Sequence, residues 1–115
     1  MKQSEKGFLL RVLISEDDKY KGKPLYEQIV IKARDLKLEN AIVFRGIMGF
    51  DADNLIHTSK ILQLYEDMPI VLEIIDTEDN INKILPFLDE TVKEGFVTLE
   101  NAIIIKYSTS KKWNK

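Results

Sequence analysis

The chain has 115 residues, enough for one domain with a single modest core, which excludes a cleft built between two domains. Hydrophobic residues make up 44% and charged residues 31%, the balance of an ordinary folded protein and not of a disordered one. The net charge of −2 gives no overall basic excess to hold nucleic acid by its phosphates. Zero cysteines exclude disulfides, thiolate catalysis, Cys-ligated zinc and iron–sulfur clusters, and one histidine excludes a multi-histidine metal site within one copy.

The first element in chain order is the apolar run Phe8 to Ile14, stopped by the polar cluster Ser15-Glu16-Asp17-Asp18. Arg11 interrupts this run and no small-residue cleavage site follows, so it reads as a strand and not as a signal peptide. No segment approaches the roughly 20 apolar residues that span a bilayer, so the expected protein is cytoplasmic, with no membrane insertion. Lys21-Gly22-Lys23-Pro24 punctuates the chain, and Pro24 suits the first turn of a helix. Leu25, Ile29, Ala33 and Leu36 then form one stripe of a helix to about Lys37.

Ala41 to Arg45 is a second strand, ended by Gly46. No period holds from Gly46 to Met68. Pro69 opens a third strand, Ile70 to Ile75, apolar on both faces and therefore expected at the sheet centre. Thr77 with Glu78 and Asp79 marks a helix start, a hydroxyl cap followed by acids that suit the helix dipole. The stripe Ile81, Ile84, Leu85, Leu88 and Val92 continues that helix, Pro86 is expected to bend it or loosen one turn, and Gly95 marks its exit. Phe96 to Leu99 and Ala102 to Tyr107 supply the last strand material.

The order β-α-β-β-α-β predicts an α+β, ferredoxin-like fold: a four-stranded antiparallel sheet with two helices on one face. The expected domain spans residues 7–107, with 108–115 as a flexible, Lys-bearing tail. Two helices cover only one face of such a sheet. The unalternated apolar run Ile70 to Ile75 implies that the other face is apolar too, a large patch for a monomer, so a homo-oligomer is expected.

The long connection 46–68 is the first place to look for function, because loops beyond about 12–15 residues in a compact domain are usually functional or disordered. Its root, Phe44-Arg45-Gly46-Ile47-Met48-Gly49-Phe50, combines glycines that allow close backbone approach with a cation suited to phosphate oxygens, although a plain turn with a surface arginine has the same look. It lacks the GK[ST] element of a Walker loop. His57, beside Thr58, reads as an ordinary hydrogen-bonded residue or, across an oligomer axis, as a metal ligand. Glu73 in its apolar strand needs a partner, and a structural pairing with Arg11 on another strand and a ligand-facing role are equally open. No serine lies in a GxSxG elbow and no nucleophile–base pair is evident, so no enzyme is expected. The central strand carries no aromatic on which RNA bases would stack.

Four strings resemble a known family: Lys19-Tyr20-Lys21-Gly22-Lys23-Pro24-Leu25-Tyr26-Glu27, Arg45-Gly46-Ile47-Met48-Gly49-Phe50, Ile56-His57, and Met68-Pro69-Ile70-Val71-Leu72-Glu73-Ile74-Ile75-Asp76. Together they resemble the PII-like domain of unknown function 190, running in order from about Leu9 to Tyr107. That family is similar to the PII nitrogen-signalling proteins and, more distantly, to the CutA trimers. The resemblance implies a homotrimer with sheets facing inward and no required cofactor. It further implies an adenine nucleotide (AMP, ADP or ATP) in the cleft between subunits, and a T-loop-like segment, 46–68, presented to a partner protein such as a transporter or enzyme. By position, Arg45, Gly46, Ile47, Met48, Gly49 and Phe50 fall at the nucleotide site. Lys106 falls on a basic position aimed at phosphates, and His57 and Thr58 fall in the partner-binding loop. Where PII proteins carry a GxGK-type phosphate loop, this chain has Lys93-Glu94-Gly95-Phe96-Val97. That substitution favours a ligand of fewer phosphates, AMP or ADP. The alternative implied by CutA is a structural or metal-binding trimer with His57 as a ligand.

Overall fold

A computed structural model describes residues 2–50, 56–58 and 67–109. Four strands form the main sheet: β1 (Lys2–Ser15), β4 (Ile42–Arg45), β7 (Pro69–Thr77) and β8 (Phe96–Tyr107). Their order across the sheet is β4-β7-β1-β8, every neighbouring pair antiparallel. Helices α1 (Leu25–Asp35) and α2 (Glu78–Thr91) pack on one face. This is the expected ferredoxin-like arrangement.

Alternation places the core. Leu10, Val12 and Ile14 of β1 lie opposite Ile74, Leu72 and Ile70 of β7, and all six are buried. They meet Leu25, Ile29 and Ala33 of α1 and Ile81, Ile84 and Leu88 of α2. Fully burying one such aliphatic side chain contributes about 1.5–3 kcal/mol. The central position expected for β7 holds, yet its burial alternates where its sequence does not.

The opposite face is open. One row across all four strands is wholly apolar: Phe44, Val71, Leu13 and Phe96. Phe44 is 50% exposed and Phe96 68%. The next row is Ile42, Glu73, Arg11 and Thr98. Arg11 Nε donates to Glu73 Oε2 at 2.8 Å and Arg11 Nη1 to Glu100 Oε1 at 3.1 Å, so Glu73 has the arginine partner its setting required.

β1 begins earlier than the apolar run suggests, and the last strand is one unbroken element of 12 residues. Beyond Gly7, which pairs with Thr77, β1 pairs only with β8, so Lys2–Lys6 and Ile103–Tyr107 form a two-stranded ribbon past the end of β7. An added Cβ at Gly7 would lie against the Asp76 carbonyl and Ile104 Cδ1. The ribbon therefore leaves the sheet where a side chain does not fit. Ile103, Ile105 and Tyr107 are exposed along it.

Several local signals land one or two residues from their expected places. Pro24 caps α1 instead of lying in its first turn, because it also closes the short ladder between β2 (Lys19–Tyr20) and β3 (Lys23–Pro24). The turn of that ladder, Lys21-Gly22, has φ of 52° and 78°, the two left-handed residues of a type I′ hairpin. Tyr20 docks the hairpin on α2, edge-on to Phe87 at 5.5 Å and donating to Glu90 Oε2 at 2.7 Å. α1 stops at Asp35 because Lys37 turns left-handed at φ 71°. Leu38 N then donates to Ala33 O and Lys37 N to Arg34 O, a Schellman ending. α2 starts as expected, with Thr77 Oγ1 accepting from Asn80 N at 3.3 Å. It runs on through Pro86, which sits on the exposed side of the helix, where a carbonyl left without its helical donor faces solvent.

Candidate functional site

Three strand ends meet at one end of the sheet. β1 finishes at Ser15 opposite Pro69, and β4 finishes at Arg45 opposite Ile70. Past these ends, Glu16 N donates to Met68 O at 2.8 Å and Gly46 N to Pro69 O at 2.7 Å. The first stem of the 46–68 connection is thereby tied to β7's first residue, and the second to the residue that follows β1.

The glycines of the root have a steric reason. An added Cβ at Gly46 would lie 2.7 Å from Pro69 Cγ, and one at Gly49 3.2 Å from it. The chain folds over the proline ring, with no room for a side chain at Gly46 and a tight fit at Gly49. β5 (Met48–Gly49) then pairs with β6 (His57–Thr58), a short ladder within the stretch where no period is legible. Residues 51–55 and 59–66 of this connection lie outside the described residues, and so does the side chain of His57. Thr58 is half-buried on β6. The root displays apolar side chains outward: Ile47, Met48, Phe50 and Ile56 are all more than half exposed.

Arg45 and Glu16 are paired at this root. Arg45 Nε lies 3.0 Å from Glu16 Oε1 and 3.1 Å from Oε2. Tyr26, at the start of α1, belongs to the same neighbourhood. Burial pushes its phenol above the ordinary value, the carboxylates of Glu27 and Glu16 push the same way, and Arg45 partly offsets them. Glu16, Tyr26 and Pro69 are thus site residues that motif reading does not single out. Tyr26 and Pro69 lie within the family-like strings, and Glu16 reads in sequence only as part of a strand stop.

Lys106 is elsewhere. It pairs with Gln3, whereas Arg45 reaches β1 through Ile70 at Ile14, eleven positions along the strand and roughly 36 Å away at strand rise. One chain does not bring Lys106 and Arg45 to a common ligand. The Lys106 amine lies 2.7 Å from both Glu5 Oε1 and Glu39 Oε2, and its side chain is 14% exposed. Burial works against its charge, but hydrogen bonds to Glu39 and Glu5 outweigh that and hold its pKa above the ordinary value. In the chain as folded, Lys106 is a clamp that fixes the β1/β8 ribbon to the α1–β4 turn.

The Lys93–Val97 segment returns at the same end of the sheet as Arg45, but on the β8 edge. Gly95 has φ 137°, and a Cβ there would lie against the Leu13 carbonyl. Lys93 Nζ donates to Glu90 O. Among the described residues no three His, Asp or Glu side chains converge as a metal site, and no helix is long and apolar enough to cross a membrane.

The fold has solved counterparts. CPII from Thiomonas intermedia K12, in a structure bound to ADP and bicarbonate, superposes with a TM-score of 0.65 over 89% of this chain and 91% of its own, at 10% identity. A candidate PII-like signaling protein from Thermus thermophilus superposes with a TM-score of 0.66 over 89% of this chain and 92% of its own, at 16% identity. At these identities the likeness is one of fold, and the fold is PII-like. In sequence, a UPF0166 protein of Aquifex aeolicus (strain VF5) is 39% identical over 99 residues, 84% of this chain and 91% of the relative. A UPF0166 protein of Methanocaldococcus jannaschii is 29% identical over 105 residues, 90% of this chain and 96% of the relative. The model of the DUF190 family, described as "Uncharacterized ACR, COG1993", matches residues 7–104, and the chain belongs to that family.

Proposed function

We propose that this protein is a non-enzymatic, PII-like regulatory protein. In this reading it works as a trimer, binds an adenine nucleotide at the seams between subunits, and presents the 46–68 segment to a partner protein. The observation that carries the reading is the loop root: Arg45 beside two glycines folded over Pro69, with Ile47, Met48 and Phe50 exposed next to them. A cation suits phosphate, and exposed apolar side chains suit a base. The fold likeness to CPII, whose solved structures are described as bound to ADP, AMP and bicarbonate, supports the ligand class.

The sheet edges explain why a seam is needed. The Arg45 root lies on the β4 edge and the Gly95 turn on the β8 edge, at the same end of the sheet. Within one chain β7 and β1 separate them. Copies arranged edge to edge about an axis bring one copy's Arg45 root to the next copy's β8 edge. Open faces turned inward toward that axis would also cover the apolar row Phe44, Val71, Leu13 and Phe96.

Calorimetric titration of the purified protein with AMP, ADP and ATP, alongside sedimentation velocity, tests this reading. Micromolar binding of one nucleotide to a trimer is expected, with Arg45→Gln weakening it about tenfold or more. A folded single subunit, or no binding at millimolar nucleotide, overturns it.

A further inference from the structure

The Arg45–Glu16 pair is more than a surface ion pair. Both Glu16 oxygens lie within 3.1 Å of Arg45 Nε, so the carboxylate occupies the Nε–H that one oxygen of an anion would otherwise take. The Glu16 side chain is 21% exposed, against 44% for Arg45, so the acid sits inside and the arginine outside. Its backbone is fixed by the Glu16 N to Met68 O bond, while the side chain can swing without breaking that bond. Immediately before it, Ser15 N and Oγ are bonded to Asp18 and Asp17, which hold the turn after β1 in shape. Glu16 is thus delivered to Arg45 by a built turn, and it lies where both stems of the 46–68 connection attach.

We propose that Glu16 is a built-in competitor for the anionic ligand of Arg45, setting how strongly the loop root binds phosphate groups. The inference rests on the nucleotide reading above for the identity of the natural ligand, but not for its chemistry. An anion approaching Arg45 meets a carboxylate already there, and must displace it or share the guanidinium with it at the cost of like-charge repulsion. Weak anions leave the pair closed. A diphosphate, with more charge, opens it, and the released Glu16 side chain then lies beside the stem at Met68. Glu16 is therefore a positioning residue: it touches Arg45 and acts on the anion through that cation.

The test compares wild type, Glu16→Gln and Glu16→Gln/Arg45→Gln by calorimetry at fixed ionic strength, with ADP and with inorganic pyrophosphate as probes. Glu16→Ala is carried in parallel in case the amide refolds the turn, and circular dichroism checks each fold. The expected result is that Glu16→Gln binds both probes about tenfold more tightly than wild type, and that the double variant loses the gain. Equal or weaker binding by both single variants, or a gain that survives loss of Arg45, overturns the proposal. A gain for pyrophosphate with no ADP binding by any protein supports the proposal and overturns the nucleotide reading. No binding of either probe by any variant overturns both.

Discussion

Arg11 and Glu73 stand directly opposite each other on the two central strands, Nε 2.8 Å from Oε2, in the middle of a sheet face whose adjoining row is wholly apolar. Glu100 completes the cluster from β8. The hydrogen bond to Glu73 raises the Arg11 pKa against the opposing effect of burial. On a free subunit the pair is partly solvated, and such pairs contribute little. Covered by other copies it becomes a desolvated pair, and removing Glu73 leaves Arg11 with only the more exposed Glu100.

If the proposed trimer covers this face, Glu73→Gln is therefore expected to shift it toward subunits, while Arg11→Met/Glu73→Leu keeps it assembled. Sedimentation velocity across a dilution series reads both. An unchanged equilibrium in Glu73→Gln would place this face outside the interface.

The Lys106 clamp predicts an alkaline limit. Its pKa is raised in the folded chain above the ordinary 10.5. The folded state thus holds the proton more tightly than the unfolded state. Its stabilisation is complete below about pH 10.5 and is lost as pH rises through the folded value. Urea unfolding of wild type and Lys106→Met from pH 8 to 11.5 is expected to show the wild-type advantage shrinking only at the top of that range.

Lys37 ends α1 in a left-handed conformation that a Cβ disfavours. Lys37→Gly keeps both Schellman bonds and relieves the strain. A gain of about 0.5–1 kcal/mol in unfolding free energy is expected, less the added freedom of glycine in the unfolded chain.

Gly46 meets Pro69 Cγ at a distance no Cβ tolerates. Gly46→Ala must displace the root from β7, at a cost of about 1–3 kcal/mol. Nucleotide affinity is expected to fall more than stability does, because the Arg45 backbone moves with it. Paired denaturation and calorimetry separate the two effects.

Legibility follows the range of the signal. The stripe Leu25, Ile29 and Ala33, the Thr77 cap and the Lys21-Gly22 turn are set by near neighbours, and each is visible in the residues. Glu16 is not visible as a site residue: it pairs with a residue 29 positions away, and its local setting looks only like the end of a strand. The β5–β6 ladder is hidden for another reason, since two-residue strands are too short to show a period. For Lys106 the resemblance implies a phosphate-facing role, and nothing local announces that Glu5 and Glu39 hold it.

The sequence by itself determined the order of strands and helices, the buried stripes and an apolar sheet face left without helices, because those depend on periodicity and on a count of helices against faces. Only the tertiary structure decided that Arg45 is met by Glu16, that Pro69 is the surface on which Gly46 and Gly49 rest, and that Lys106 lies at the far end of the sheet. Those facts depend on strand register. Register sums many weak pairings over the whole sheet, and no single stretch of residues carries it.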